Sequence, residues 1–176
     1  GTRFSGQGRA MARRGAVANE ERTVAEVTRL AHAGLAADEL LRRVAKAVER
    51  AVPFEAWCGS TVDPASRLLT LGLAEGFGAE TIGGEPTGDI FLGRVYFDED
   101  LPQIAAMVGE RRSVAVLSEA TGGELERSVR YRDLLRPLGF GHEVGVLFLD
   151  GSLWGGVVLS RVAGRCAIAA GDAGLL

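Results

Sequence analysis

The chain has 176 residues, of which 47% are hydrophobic and 24% charged, and its formal net charge at pH 7 is −3. This length is sufficient for one domain with a proper hydrophobic core. The negative charge disfavours nonspecific nucleic-acid binding as the main function, because such binding depends on excess Lys and Arg. No run reaches the ~18 uninterrupted apolar residues of a membrane helix. No secretory signal is visible either, so we expect a cytoplasmic protein.

The N-terminal third predicts two helices after a leader. Residues 1–18 lack apolar periodicity and predict a disordered leader or an expression remnant, which leaves residues 19–176 as the folded domain. Asn19 is a candidate N-cap, and Asp38 is a candidate cap for a second helix that Pro53 ends. The first helix carries an apolar stripe that precedes the core, and we expect this stripe to form a dimer interface: Val24, Val27, Leu30 and Ala31.

The middle of the chain predicts a hairpin, a long surface segment and short elements. Residues 54–62 and 67–73 have strand composition and flank a turn that begins Asp63-Pro64. Residues 75–94 are rich in glycine and predict a long surface loop. A third helix is expected to open at Asp100, a short strand at residues 113–117, and a short helix with Ser128 as its cap.

The strongest local signal is a hairpin centred on Asp150-Gly151. Residues 144–149 and 154–159 are rich in β-branched and aromatic side chains and flank this turn. Both runs are apolar on both faces, so each strand needs cover on both sides. We therefore expect this ribbon in the middle of an antiparallel sheet, within an α+β fold that has helices on one face and loops with short helices on the other.

The sequence offers little support for catalysis or metal binding. Neither His32 nor His142 has a partner at metal-ligand spacing, so we expect no metal site and no cofactor. No nucleophile elbow, papain-like cysteine context or phosphate-binding glycine loop occurs. Cys58 and Cys166 lie far apart and are predicted to be two unrelated reduced thiols.

One face of the predicted sheet has the composition of a ligand pocket. The glycine-rich segment and the short helices would enclose it, and soft, aromatic and hydroxyl side chains suit a small organic ligand. A closed core without a ligand would need the same side chains, so both interpretations stay open at this point. The predicted pocket residues are Cys58, Tyr96, Met107, Tyr131 and Phe140.

Four arginines lie near the short helix that follows Ser128. They are Arg127, Arg130, Arg132 and Arg136, and arginines so placed can hold a phosphate or carboxylate by paired hydrogen bonds. Acidic residues lie among them, so local charge neutralisation is the alternative: Glu124, Glu126 and Asp133.

The chain resembles a GAF domain. The resemblance covers roughly residues 19–161, and it is carried by residues 118–141, the segment from Asp150 to Gly155, Arg161 and the Asp63-Pro64 turn. Within that family, the chain is similar to the N-terminal GAF-like domain of actinobacterial LuxR-type transcriptional regulators. The cyclic-nucleotide signature and the clustered cysteines of other GAF branches are missing.

The resemblance implies a sensory fold and role. It implies an antiparallel sheet with a helical layer on one face and a ligand cavity on the other, dimerisation through terminal helices, and DNA contact only through a C-terminal helix-turn-helix domain absent from this chain. We accordingly expect a truncated C-terminal helix near Leu176 and no membrane partner.

Three functions follow from these observations. The first is a non-catalytic sensor of a transcriptional regulator that binds a small molecule and acts as a homodimer. The second is a dimerisation or protein-interaction module without a ligand. The third is a small redox or hydrolytic enzyme that uses Cys58 or Cys166.

Overall fold

The computed structural model describes residues 4–78, 81–82, 85–86 and 100–165. Its contacts divide the chain into two compact units, a helical unit of residues 1–53 and a sheet unit of residues 54–174. Most of the predicted glycine-rich loop, together with Tyr96, Cys166 and the predicted C-terminal helix, lies outside the described residues.

The helical unit is a pair of helices, α1 (Phe4–Ala31) and α2 (Ala37–Glu49). Asn19 Nδ2 donates a 2.7 Å hydrogen bond to the carbonyl of Arg50, so the middle of α1 lies beside the end of α2 and the helices are antiparallel. The predicted helix start at Asn19 is wrong, because α1 begins at Phe4 and part of the predicted leader is helical. The predicted cap Asp38 lies inside the first turn of α2, where its charge suits the helix dipole.

The sheet unit is built on five strands: β1 (Ala56–Val62), β2 (Leu69–Glu75), β5 (Val114–Val116), β6 (Phe140–Leu149) and β7 (Leu153–Val162). They form one antiparallel sheet in the order β2-β1-β7-β6-β5. A separate two-residue ladder joins β3 (Thr81–Ile82) and β4 (Glu85–Pro86). The prediction of an α+β fold around an antiparallel sheet is confirmed.

The ribbon of β6 and β7 lies in mid-sheet, as predicted. β7 is the central strand, with β1 on one side and β6 on the other. The turn is at residues 150–152, and Gly151 has a φ of +67°, a left-handed conformation that favours glycine. Position 155 requires a glycine because the backbones of β7 and β1 approach closely there: a Cβ would lie 2.2 Å from the carbonyl oxygen of Ser60 on β1.

Register assigns the side chains of the three central strands to two faces, because residues paired directly across antiparallel strands share a face. One face is large and apolar, and its side chains are all buried: Trp57, Val144, Val146, Val157 and Leu159. The other face, which we call the floor face, carries small side chains: Cys58, Ser60, Gly145, Gly156 and Val158.

Short elements connect the strands on the C-terminal side of the loop. Helix α3 (Asp100–Gly109) and the single-turn helix α4 (Leu117–Ala120) flank β5 in sequence. A 3₁₀ turn (Leu125–Arg127) and a π-helical turn (Tyr131–Leu135) lead to β6. Ser128 Oγ accepts a 3.2 Å hydrogen bond from the Tyr131 amide, as predicted for a capping serine. Within the described ranges, no helix combines the length and apolar character that crossing a bilayer requires.

Candidate functional site

A cavity of about 290 Å³ lies against the floor face within the sheet unit. Two rows of paired residues form its floor. Cys58, Val158, Gly145 and Ala115 make one row across four strands, and Ser60, Gly156 and Leu147 make the next. Because most of these side chains are absent or small, space remains above the backbone of the central strands. The floor therefore suits a flat or slender molecule.

Two helices also contribute apolar residues to the lining. Ile104, Met107 and Val108 of α3 line the cavity, as do Leu117 and Ala120 of α4. Met107 is buried, and its unbranched, polarizable side chain adapts to ligands of different shape. The lining is consequently mostly apolar, a surface on which burial of carbon groups is favourable.

A buried ion pair contributes a polar region to the cavity lining. Arg130 Nε donates to Glu143 Oε1 at 2.7 Å and Arg130 Nη2 donates to Glu143 Oε2 at 3.1 Å, and Ser160 Oγ donates to Glu143 Oε2 at 3.4 Å. Both charged side chains line the cavity, and Arg130 and Glu143 are 8% and 7% exposed. This paired geometry places a fixed dipole beside an apolar floor.

The turns of the two hairpins line a further part of the cavity. Pro64 and Arg67 come from the β1–β2 turn, and Gly151 and Ser152 come from the β6–β7 turn. The β1–β2 turn is fixed by Asp63, whose Oδ1 accepts from the Ser66 amide and the Ser66 hydroxyl, both at 2.7 Å. These hydrogen bonds favour the carboxylate and lower the pKa of Asp63 from its ordinary value.

The sheet separates the side chains of His142 and Glu143, which are adjacent in sequence. His142 pairs with Arg161 and Glu143 pairs with Ser160, so the two neighbours point to opposite faces. His142 Nε2 lies 3.0 Å from the carbonyl oxygen of Arg165, and Glu143 is held by Arg130. Among the described residues, no group of three or more His, Cys, Asp or Glu side chains is placed to hold a metal ion.

The structure brings together two of the five predicted pocket residues. Cys58 and Met107 line the cavity. Tyr131 and Phe140 instead belong to a core cluster around Ala56 and Leu135, where Phe140 also packs edge-on against Phe77 with ring centroids 5.3 Å apart. The fifth residue, Tyr96, lies outside the described residues.

The arginines near Ser128 divide between the two predicted alternatives. Arg136 is neutralised locally, because its Nη1 donates to both carboxylate oxygens of Glu126 at 3.0 Å. Arg132 bonds the backbone carbonyl of Glu126. Arg130 instead turns into the sheet unit and pairs with Glu143, so only this arginine of the four belongs to the cavity lining.

The sequence singled out Arg130 as able to hold a carboxylate, but its partner Glu143 was missed. Glu143 and Arg130 are thirteen positions apart, and their pairing depends on where β6 lies relative to the Tyr131–Leu135 turn. A usable signal was present, because an acidic residue between apolar neighbours in a mid-sheet strand requires a buried partner. Arg67 was predicted only as the start of a strand.

The four residues of the predicted dimer stripe differ in their exposure to solvent. Leu30 is 2% exposed and Val27 is half-buried, whereas Val24 is 50% exposed and Ala31 is also exposed. Val17 is 46% exposed and precedes Val24 by seven residues, as Val24 precedes Ala31. The exposed apolar stripe of α1 is therefore Val17, Val24 and Ala31, since Leu30 is already covered.

Comparison with solved structures places this architecture among known folds. The chain is similar to the VqsR LBD domain from Pseudomonas aeruginosa, with a TM-score of 0.52, 15% identity and coverage of 89% of this chain and 84% of that chain. It is also similar to a GAF domain/HD domain protein from Geobacter sulfurreducens, with a TM-score of 0.51, 16% identity and coverage of 78% and 83%.

Comparisons at the level of sequence give no match. No protein-family model matches the chain, and no curated protein matches it. Because both structural likenesses lie below 25% identity, they establish the fold alone. The five-stranded antiparallel sheet and its helices form a GAF-like fold.

Proposed function

We propose that this chain is a GAF-type sensory domain of a transcriptional regulator, of the LuxR type that its sequence resembles. It binds a small molecule and, as a homodimer, controls a separate DNA-binding domain. The observation that carries the proposal is the cavity on the floor face, where glycine and other small residues occupy the middle of the sheet. A domain with only a structural role gains by filling such a space with larger side chains.

The comparisons support a binding role for this fold. One similar structure is a regulator's ligand-binding domain, and the other contains a GAF domain. The lining of the cavity is consistent with binding and differs from a catalytic centre. Cys58 is a buried thiol that pairs with Val158 across the sheet, and the Glu143 carboxylate is committed to Arg130. We therefore propose a non-catalytic function.

The size of the cavity limits the ligand. At about 290 Å³ it lies near the lower end of small-molecule sites, which run from roughly 300 to 1,000 Å³. A ligand that buries ~200 Å² of apolar surface there gains about 5 kcal/mol from the hydrophobic effect. Part of that gain offsets the entropy lost on association, so specificity depends on the polar part of the lining.

A thermal-shift screen of small metabolites tests the proposal. Gly145→Leu places a side chain on the floor, where a Cβ would have only Val158 Cγ2 nearby, at 3.9 Å. Compounds that raise the melting temperature of the wild type should leave Gly145→Leu unaffected, because ligand binding stabilises only the protein that binds. If every stabilising compound acts equally on both proteins, or none stabilises the wild type, the sensory proposal is wrong.

A dimerisation module without a ligand is the second candidate function. The exposed stripe of Val17, Val24 and Ala31 on α1 favours it, because a seven-residue spacing keeps apolar side chains on one side of a helix pair. The two candidates are separable. A pure dimerisation module remains a dimer and responds to no compound in the screen.

A further inference from the structure

Positive and negative charges are unequal in number among the described residues that line the cavity. Among the described residues, three charged ones line the cavity: Arg67, Arg130 and Glu143. Arg130 and Glu143 neutralise each other through a double hydrogen bond. Arg67 is exposed, and among the residues that the structure describes its side chain forms no ion pair. The described part of the lining therefore carries one net positive charge, that of Arg67 on the β1–β2 turn.

The backbone of Arg67 is costly for an arginine. Its φ is +60°, in the left-handed region that glycine adopts freely and other residues rarely adopt. The turn imposes this conformation, because the Arg67 amide donates to the Asp63 carbonyl at 2.8 Å and the Asp63 amide donates to the Leu68 carbonyl at 2.9 Å. The hydrogen-bonded turn thus fixes the backbone from which the Arg67 side chain extends, at a position that lines the cavity.

The acidic residue of the same turn does not pair with Arg67. Asp63 is the nearest acidic residue in sequence, but its carboxylate accepts both hydrogen bonds from Ser66, and it is not part of the cavity lining. A guanidinium presents a planar fork of donors that matches a carboxylate or another oxyanion. The neighbouring floor of Gly156, Gly145 and Val158 is apolar, so it suits a carbon skeleton rather than a second charge.

We propose that the cavity takes a small, mostly apolar organic anion, whose anionic group binds Arg67 and whose carbon skeleton lies on the floor face. This inference rests on the proposed ligand-binding function and adds the chemical class of the ligand and the residue that selects it. The Arg130–Glu143 pair accepts a neutral polar group of the same ligand.

Two fluorescent probes that differ only by one sulfonate group test the proposal. 8-Anilinonaphthalene-1-sulfonate is an aromatic anion, and N-phenyl-1-naphthylamine is the same skeleton without the sulfonate. Arg67→Asn removes the cation but keeps a residue that tolerates the left-handed conformation. Arg111→Asn is the matched control, because Arg111 also has a positive φ, of +53°, and does not line the cavity.

We expect Arg67→Asn to weaken binding of the sulfonate probe about three- to fivefold, because Arg67 is exposed and water screens the ion pair, and to leave the neutral probe unchanged. Arg111→Asn should change neither Kd. Raising the NaCl concentration should weaken sulfonate binding to the wild type more than to Arg67→Asn, since an exposed charge is screened. Gly145→Leu, with Ala115→Leu as the second variant if that protein does not fold, should abolish binding of both probes.

The outcomes distinguish this inference from the function on which it rests. If both probes bind, both are lost on filling the floor, and Arg67→Asn leaves the sulfonate Kd unchanged, the anion assignment is overturned and the sensory function stands. Equal losses in Arg67→Asn and Arg111→Asn also overturn it, because they reflect surface charge in general. If neither probe binds the wild type, or filling the floor has no effect on either, both proposals fail.

Discussion

Arg130 and Glu143 form a double hydrogen bond, at 2.7 and 3.1 Å, with both side chains more than nine-tenths buried beside the cavity. Each charge depends on the other, because neither is hydrated as it would be in water. The pair joins the segment before β6 to β6 itself, and Ser160 on the central strand β7 completes it.

Removal of one partner should therefore be strongly destabilising. We predict that Arg130→Ala lowers the free energy of unfolding by about 3–5 kcal/mol, because it leaves the Glu143 carboxylate buried without its cation. Replacing both residues, as Arg130→Met with Glu143→Leu, should recover most of that loss. Urea denaturation monitored by circular dichroism measures both effects.

An exposed ion pair of the same chain provides the control. Arg43 and Glu39 pair on the surface of α2, at i and i+4, with about half of each side chain exposed. Arg43→Ala should change the free energy of unfolding by no more than about 0.5 kcal/mol. Equal effects of Arg43→Ala and Arg130→Ala would contradict the role assigned to burial.

Glycines of the sheet should differ sharply in their tolerance of a methyl group. A Cβ at Gly155 would lie 2.2 Å from the Ser60 carbonyl, whereas a Cβ at Gly72 meets no atom within 4 Å. We predict that Gly155→Ala costs about 3 kcal/mol or prevents folding, because backbone of the central strand must move. Gly72→Ala should cost less than about 1 kcal/mol. Thermal unfolding of the two proteins compares them, and similar melting temperatures would refute the close packing of β1 against β7.

Local signals in the sequence were sufficient for the central ribbon. Asp150-Gly151 marks its turn, and the apolar runs on both sides of the turn indicate strands in mid-sheet, which is where β6 and β7 lie. Ser128 was likewise recognisable as a cap, since a capping serine acts within three residues. These features depend on neighbours in sequence, and for that reason they were predictable.

Features that depend on distant partners were not predictable. Asn19 has the composition of a helix cap, yet its side chain bonds Arg50, thirty-one positions away, within a helix that starts at Phe4. Tyr131 and Phe140 have the composition of a binding site, yet they complete the cluster around Leu135. The GAF resemblance predicted the fold correctly, because it rests on a long motif and does not depend on the placement of any single residue.

The β1–β2 turn should lose stability in acid. The Ser66 hydrogen bonds lower the pKa of the Asp63 carboxyl in the folded state below its ordinary value of 3.8. The stabilisation is thus fully present above pH 3.8 and is lost as the pH falls through the lowered pKa. Asp63→Ala should therefore destabilise the protein more at pH 6 than at the acid end of its folded range. Chemical denaturation at several pH values tests this, and a pH-independent difference would contradict it.

Dimerisation, if it involves α1, should depend on Val24 and not on the predicted stripe as a whole. We predict that Val24→Asp converts a dimer to a monomer without loss of helicity, because Val24 is half exposed and its replacement disturbs no core. Multi-angle light scattering with circular dichroism measures both properties. Leu30→Asp is the contrasting variant, and it should unfold the protein, since Leu30 is buried. A wild type that is monomeric at high concentration would refute the dimer.

Methyl chemical shifts test the central claim, that the small-residue face of the sheet binds a small molecule, because methyl groups report the two faces separately. In a titration of valine- and leucine-methyl-labelled protein with N-phenyl-1-naphthylamine, Val158, Leu147 and Leu117, which line the cavity, should shift and saturate. Val144 and Leu159, on the opposite face, should shift far less. Saturable shifts confined to Val144 and Leu159, or no saturable shift at all, would contradict the account.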